Sequence, residues 1–213
     1  LVGFMGLVIA FGLSLAVGRY EARRAAVVTE ANAIGTTYLR AQTLAEPDRT
    51  RSLALLTRFT DASIRISETV PGSTAQREAV AVSADLQRQL WGIAGHTVNE
   101  APEATAPRLY LETLNETFDA QSSRVYGLTN RVPTAVLTLE VAGAAIALGL
   151  LSLHLATLGR GLLPVLLAAV LVSLTLVITF DLDRPTRGLI RISAVPLTQL
   201  RASMDLPPAA PAP

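Results

Sequence analysis

Three long apolar runs constrain this chain more than any other feature of its sequence. The third run, residues 162–180, has nineteen consecutive positions without a charged side chain, and the others cover residues 1–18 and 132–158. A helix of about 20 residues crosses the roughly 30 Å hydrocarbon core of a bilayer. These runs show no two-residue alternation that would indicate a barrel strand. The sequence therefore predicts an all-α integral membrane protein with three transmembrane helices.

The chain begins at Leu1, already inside the first apolar run. We expect a segment upstream of it, because the first run is barely long enough to cross a bilayer. A signal peptide is the alternative interpretation of this run. It fits poorly, because no basic residues precede the run and arginines follow it where small residues would mark a cleavage site.

Residues 19–131, between the first two runs, are polar enough to form a domain outside the lipid. Apolar residues recur there at spacings of three and four, which is typical of helices with one buried face. The clearest series are Val27, Ala31, Ile34 and Tyr38, and then Val82, Leu86, Leu90 and Ile93. We expect a bundle of four helices, separated by breaks at Pro47, Pro71–Gly72 and residues 101–107.

Two helix ends in this domain can be predicted more closely. Ser73 followed by Gln76 matches a capping box, so the third helix should begin directly after Ser73. The fourth helix is expected to continue without a break into the second apolar run. The tail at residues 205–213 is rich in proline and alanine, and we expect it to be disordered.

Composition and motifs exclude several classes of function. The net charge is only +1 and there is no cysteine, so neither nucleic-acid binding nor a thiolate metal site is indicated. His96 and His154 are far apart, and we expect no carboxylate at ligand spacing on the helix face of either. We therefore predict no catalytic residues, no metal site and no cofactor.

The placement of arginines predicts the orientation in the membrane. Those that flank residues 19–131 are Arg19, Arg23, Arg24, Arg124 and Arg131. Those that follow the third run are Arg184, Arg187, Arg191 and Arg201. The short link at residues 157–161 offers only Arg160. By the positive-inside rule, the helical domain and the juxtamembrane segment 181–204 are expected in the cytoplasm.

Three motifs in this arrangement resemble one family of membrane proteins. They are RYEARR at residues 19–24, EANAIG at residues 30–35, and DLDRPTRGLIRIS at residues 181–193. Together they resemble the bestrophin-like family, a domain of unknown function related to the bestrophin anion channels. The resemblance implies an all-α protomer with membrane helices, a cytoplasmic helical bundle and a fourth membrane helix upstream. True bestrophins are homopentameric, which implies a homo-oligomer here.

The resemblance also implies a role for the first apolar run. In bestrophins the corresponding helix lines the neck of the pore with bulky apolar side chains. The candidates here are Phe4, Val8 and Phe11. The alternative is that these side chains only pack against other helices, as the glycines of the same run suggest.

Glu140 lies about eight residues inside the second apolar run. A charged side chain deep in lipid costs roughly 3 kcal/mol or more, so Glu140 should face protein or water. One hypothesis gives it a role in permeation or in proton-linked behaviour. The alternatives place it at the interface, or protonated and bonded to a neighbouring helix.

A dense cluster of charges follows the third run: Asp181, Asp183, Arg184, Arg187 and Arg191. The cluster either tethers the end of the helix or lines a charged vestibule on an ion path. The carboxylates lie at the negative end of the helix dipole and need positive partners. We predict that at least one of them contacts Arg19, Arg23 or Arg24, and we call these eight residues the charge joint.

Two functions are compatible with these patterns. The first is a passive anion channel, presumed from the resemblance to conduct chloride, in a bacterial inner membrane and with lipids as its other partners. The second is a non-conducting membrane protein whose cytoplasmic bundle serves as an interaction or structural module. An axial path lined by the first run would favour the channel.

Overall fold

A computed structural model of the chain describes residues 2–159, 162–184 and 188–209, with only the backbone of Val2. These residues form helices and no strand. In chain order the helices are α1 (Val2–Ala41), α2 (Asp48–Glu68), α3 (Thr74–Glu100), α4 (Thr105–Thr129), α5 (Thr134–Thr157), α6 (Leu163–Leu182) and α7 (Val195–Ser203). The predicted disordered tail lies partly outside the described residues, which end at residue 209.

The chain divides into two compact units. The first, here called the membrane unit, comprises Leu1–Ala22 and Asn130–Arg191. The second, here called the helical bundle, comprises Arg23–Thr129 and Ile192–Pro213. The membrane unit therefore holds the first half of α1 with α5 and α6, and the helical bundle holds the rest of α1 with α2, α3, α4 and α7.

Three helices are long and apolar enough to cross a membrane, and they include the predicted runs. α5 and α6 have 24 and 20 residues, which at 1.5 Å per residue gives lengths of about 36 and 30 Å. Apolar side chains along α6 point away from the chain; Leu167, Val170 and Leu171 are each more than 60% exposed. Such a surface suits hydrocarbon and not water. The predicted all-α membrane protein is thereby confirmed.

Small residues let α1 and α5 pack closely within the membrane unit. A Cβ atom added to Gly143 of α5 would lie 2.0 Å from the Cε atom of Met5 on α1, so any larger residue there would force the Met5 side chain to move. Ala144 and Ala147 are buried next along α5, and Ala16 is buried on α1. Close approach through small residues is the usual way in which helices associate in lipid, where no hydrophobic effect drives them together.

The core of the helical bundle follows the predicted helix faces. Val27, Ala31 and Ile34 of α1 are all buried. On α3, Leu86 and Leu90 are buried as predicted, but Val82 is 46% exposed, so its assignment to the buried face is wrong. Val82 lies one turn before Leu86 at the edge of the apolar stripe, where spacing alone does not separate buried from exposed positions.

α7 completes the core of the helical bundle. Leu197 is fully buried in the same apolar cluster as residues of α1, α2, α3 and α4. The hydroxyl of Tyr38 donates a hydrogen bond to the carbonyl oxygen of Met204 at 3.2 Å. On the bundle surface, Arg201 pairs with Asp61 of α2 at 2.8 Å. α7 is thus a structural part of the helical bundle.

Two helix ends test the sequence-based predictions. The predicted cap at Ser73 is confirmed, because the backbone nitrogen of Gln76 donates to the Ser73 hydroxyl at 3.1 Å, but the Gln76 side chain accepts from the backbone nitrogen of Gly72 and not from that of Ser73. The expected continuation of α4 into α5 is not observed, because α4 ends at Thr129 and α5 begins at Thr134. Pro133 explains the break, since proline disfavours helical geometry at the residue before it.

Candidate functional site

The membrane half of α1 has one packed side and one open side. Met5 and Ile9 are buried. Phe4 and Phe11 are 63% and 64% exposed, and Val8 between them is half-buried. Because Phe4, Val8 and Phe11 follow one another at spacings of four and three, they form a single stripe, here called the α1 stripe. The proposed neck role of the α1 stripe stays a prediction.

Glu140 of α5 is fully buried within the membrane unit. Its carboxyl group occupies the space that Gly12 leaves on α1: a Cβ atom at Gly12 would lie 1.4 Å from Oε1 and 2.3 Å from Cδ. Among the described residues, neither carboxylate oxygen of Glu140 has a hydrogen-bond partner. The group therefore faces protein, and its role stays a prediction.

Asp181 holds the turn that follows α6. Its two carboxylate oxygens accept hydrogen bonds from the backbone nitrogens of Leu189 and Ile190, at 2.9 and 2.8 Å. Gly188, with φ of 136°, makes the turn possible, because a Cβ atom there would lie 2.2 Å from Oδ1 of Asp181. Two backbone donors thus supply part of the positive charge that this carboxylate needs at the helix C-terminus.

Asp183 and Arg19 both bond to the segment that precedes α5. Oδ1 of the buried Asp183 accepts from the backbone nitrogen of Val132 at 2.8 Å. The Arg19 guanidinium donates to Oδ1 of Asn130 and to the carbonyl oxygen of Arg131, both at 2.8 Å. These bonds fasten the segment between α4 and α5 inside the membrane unit.

The other members of the charge joint differ in their surroundings. Arg23 is buried, and its Nε donates to the carbonyl oxygen of Gly127 at 3.1 Å within the helical bundle. Arg24, Arg184 and Arg191 are exposed, and Arg187 lies outside the described residues. The contact predicted between an aspartate of the charge joint and an arginine of residues 19–24 stays a prediction.

A buried ion pair lies at the centre of the helical bundle. Glu30 of α1 and Arg124 of α4 are 0% and 2% exposed and form a short salt bridge. The Ser63 hydroxyl of α2 donates to Glu30 at 2.7 Å, and Gln121 donates to Ser63 at 2.6 Å. Ser83 of α3 donates to Gln121 at 2.7 Å. One polar network therefore joins the four long helices of the bundle.

A pair of titratable side chains lies on the surface between α2 and α3. Nδ1 of His96 is 2.7 Å from Oδ2 of Asp48, and Nε2 is 4.0 Å from Oε1 of Glu100. The expectation of no carboxylate at ligand spacing was wrong, since Glu100 lies one helical turn after His96. The described residues contain no group of three or more side chains placed to hold a metal ion. The pair borders an open pocket of about 580 Å³.

Known structures share this fold at low sequence identity. One is a membrane protein with a glycine-to-alanine substitution, with a TM-score of 0.78, 14% identity, and coverage of 100% of this chain and 86% of that one. A tyrosine-to-alanine variant of a bestrophin homologue from Klebsiella pneumoniae has a TM-score of 0.75 and 14% identity, and the match covers 95% of this chain and 84% of that one. Another structure of that homologue, solved by zinc phasing, has a TM-score of 0.73 and 14% identity, and the match covers 95% of this chain and 81% of that one.

A sequence-family match covers most of the chain, as the matches to solved structures do. No curated protein matches the chain. The model of the Bestrophin-like domain, however, matches residues 2–197, from the first membrane helix into α7. All three motifs noted in the sequence fall within that match. The chain therefore belongs to the Bestrophin-like family.

Proposed function

We propose that this protein is a homo-oligomeric channel through which anions pass passively, in the manner of the bestrophins. Membership of the Bestrophin-like family and a fold similar to bacterial bestrophin homologues support a channel-like membrane protein. The related group consists of channels, so we propose no enzymatic activity. Chloride is the anion to test first, and a pentamer is the first assembly to test.

The observation that carries this proposal is the α1 stripe. Its two phenylalanines expose most of their surface in the single chain, while Met5 and Ile9 on the neighbouring face of α1 are buried and Met5 packs against Gly143 of α5. Copies of the chain arranged around an axis would cover such a stripe and form a ring of apolar side chains. A ring of this kind can gate ion flow by expelling water.

Recording from planar bilayers tests the channel directly. Purified full-length chain is added, and current is measured in chloride and then in gluconate, an anion too large to pass. We expect a chloride current, and we expect a larger one when Val8→Ala and Phe11→Ala are combined, because the constriction widens. The matched control is Leu171→Ala, since Leu171 is 66% exposed on α6 and off the stripe.

The alternative is a non-conducting membrane protein whose helical bundle binds a partner. The open pocket between α2 and α3 favours it, because apolar Leu55 and Ile93 lie there beside Asp48 and His96. A mixed apolar and polar lining is typical of binding sites. Silent bilayers from both the wild type and the stripe variant, with intact oligomers, would favour this alternative.

We further propose that the membrane is a bacterial inner membrane, with the helical bundle and residues 181–204 in the cytoplasm. The distribution of arginines supports this orientation, since the link at residues 157–161 has a single arginine. Lipids then surround α6, on which Leu167, Val170 and Leu171 are each more than 60% exposed.

A further inference from the structure

Glu140 is a buried acid for which the described chain provides no partner. Its side chain is fully buried, and both carboxylate oxygens lack a hydrogen bond among the described residues. Glu30 in the helical bundle is buried to the same degree, but it receives hydrogen bonds from Arg124 and Ser63. Among the described residues, one buried carboxylate therefore has partners and the other has none.

Gly12 provides the hollow in which this acid lies. Even an alanine side chain there would overlap Oε1, Cδ and Oε2 of Glu140, at 1.4, 2.3 and 2.8 Å. The carboxyl group is thus inserted into the surface of α1 and not merely placed beside it. Any change in its size or hydration acts directly on α1 at Gly12, one residue from Phe11 of the α1 stripe.

The apolar stretches of α1 and α6 contain no ionisable side chain that could pair with Glu140. In α1, residues 2–18 include no charged or histidine side chain, and neither do residues 163–180 of α6. The other ionisable side chain of α5 is His154, fourteen residues further on, or about 21 Å along the helix. A carboxylate without a counter-charge is strongly disfavoured in such surroundings, whereas a neutral carboxylic acid is tolerated.

We propose that Glu140 is a proton-binding site in the membrane unit, with its carboxylic acid stored in the hollow at Gly12. The packed state of α1 and α5 holds the proton. Release transfers that proton to water entering the hollow, and the resulting carboxylate requires hydration that the packed helices exclude. Proton loss and separation of α1 from α5 are therefore coupled, and this coupling goes beyond the proposed anion pathway and does not require it.

Infrared spectroscopy of the full-length chain in lipid vesicles tests the site without any transport assay. The wild type should show a carboxylic acid carbonyl band at about pH 7, well above the range in which exposed glutamates hold a proton. Glu140→Gln keeps the shape and neutrality of the acid and should lack only that band. A carboxylate signal at Glu140 at this pH, with no acid band, overturns the proposal.

Two further measurements keep the test decisive if Glu140→Gln folds poorly. In the wild type alone, the acid band should persist at about pH 7 and fall as the pH is raised further; a band already absent at about pH 6 overturns the proposal. Gly12→Ala should displace the acid and shift or abolish the band, whereas Gly149→Ala, where an added Cβ meets nothing within 4 Å, should leave it unchanged.

Current recordings separate this inference from the proposed channel. If the chain conducts, the wild-type chloride current should change as the pH is raised above about 7, and Glu140→Gln should remove this dependence. Silent bilayers together with the acid band contradict the channel and support the proton site. A chloride current without the acid band supports the channel and overturns the proton site.

Discussion

Two buried glutamates in this chain have opposite surroundings. Glu30 is paired with Arg124 and hydrogen-bonded within a network from four helices, so its charge is compensated where it lies. Removing one member of such a pair leaves the other charge buried without compensation, which costs far more than the pair contributes on its own. Glu140 has no such pair. The helical bundle therefore contains a buried carboxylate whose charge is compensated, and the membrane unit contains a buried carboxyl group without a counter-charge.

We expect Glu30→Ala to destabilise the protein by about 3–5 kcal/mol, because the buried Arg124 guanidinium loses its counter-charge. The measurement is chemical unfolding followed by the fluorescence of Trp91, the only tryptophan, which lies on α3 against Phe118. Arg88→Ala serves as the control, since its pair with Asp85 is exposed and should contribute less than about 1 kcal/mol. Equal losses from both variants would contradict this prediction.

Tyr110 should make the helical bundle less stable at alkaline pH. Burial raises the pKa of Tyr110 from 10.0 to about 12, and Asp48 adds to this while Ser52 opposes it. Because the folded-state pKa is raised, the stabilisation is complete below pH 10.0 and is lost as the pH rises to about 12. The loss amounts to about 3 kcal/mol.

Tyr110→Phe should therefore flatten the decline in stability over that pH range. The chain has no lysine and no cysteine to titrate there, and the contribution of Tyr38, whose pKa burial also raises, is common to all the variants compared. Unfolding midpoints are measured at several pH values, with Tyr126→Phe as the control because Tyr126 is 73% exposed. The prediction fails if the two variants and the wild type decline in parallel.

The network around Glu30 shows what the sequence could not predict at this scale. Glu30 was recognised as part of a motif, and Arg124 was counted among arginines near the membrane. The two are 94 positions apart, and no periodic pattern connects them. Only the packing of α1 against α4 brings them together, and polar residues on a helix otherwise indicate an exposed face.

Among the structural elements, the turn after α6 explains the most distinctive motif of the chain. Asp181 accepts two backbone hydrogen bonds eight and nine residues further on, and Gly188 makes room for it. The spacing between this aspartate and this glycine is therefore a geometric requirement of the turn. The proline and arginine positions between them lie partly outside the described residues.

Gly188→Ala should open this turn, because alanine disfavours a φ of 136° and its Cβ would displace the Asp181 carboxylate. We expect a local cost of about 1–3 kcal/mol. Limited trypsin digestion measures the opening of the turn as faster cleavage after Arg191, which Ile192 follows. Gly149→Ala is the matched control in α5, and similar cleavage rates for both variants would contradict the assignment.

Element lengths and faces were largely predictable from the sequence, and helix junctions were not. The three membrane helices follow from apolar length, and the buried faces of α1 and α3 follow from spacing, apart from Val82. The break at Pro133 was missed because the apolar pattern continues on both sides of it. α7 was missed as a core element because nine residues present too few apolar positions to define a face.

For the whole molecule, the testable property is orientation in the membrane. Because native cysteines are absent, single cysteines can be introduced without interference. Ala104→Cys and Pro208→Cys should both resist a membrane-impermeant thiol reagent added outside intact cells, since both regions are expected in the cytoplasm. Both should react once the cells are opened.

A cysteine on the opposite side provides the control for this experiment. Leu158→Cys lies after α5 at a position that is 56% exposed in the structure, and it should react from outside. Labelling of residue 104 or 208 in intact cells, with residue 158 protected, would reverse the proposed orientation.

The position of α7 has a consequence for how the protein is made. Leu197 lies in the bundle core with Ile34 and Leu56, yet the ribosome reaches it only after both α5 and α6. Until then the groove that receives Leu197 is open, and the nascent bundle exposes apolar surface while two hydrophobic segments enter the lipid. The bundle core can therefore be completed only after both membrane segments have been made, and a premature stop before residue 195 would leave that core unfilled and not merely shorten a tail.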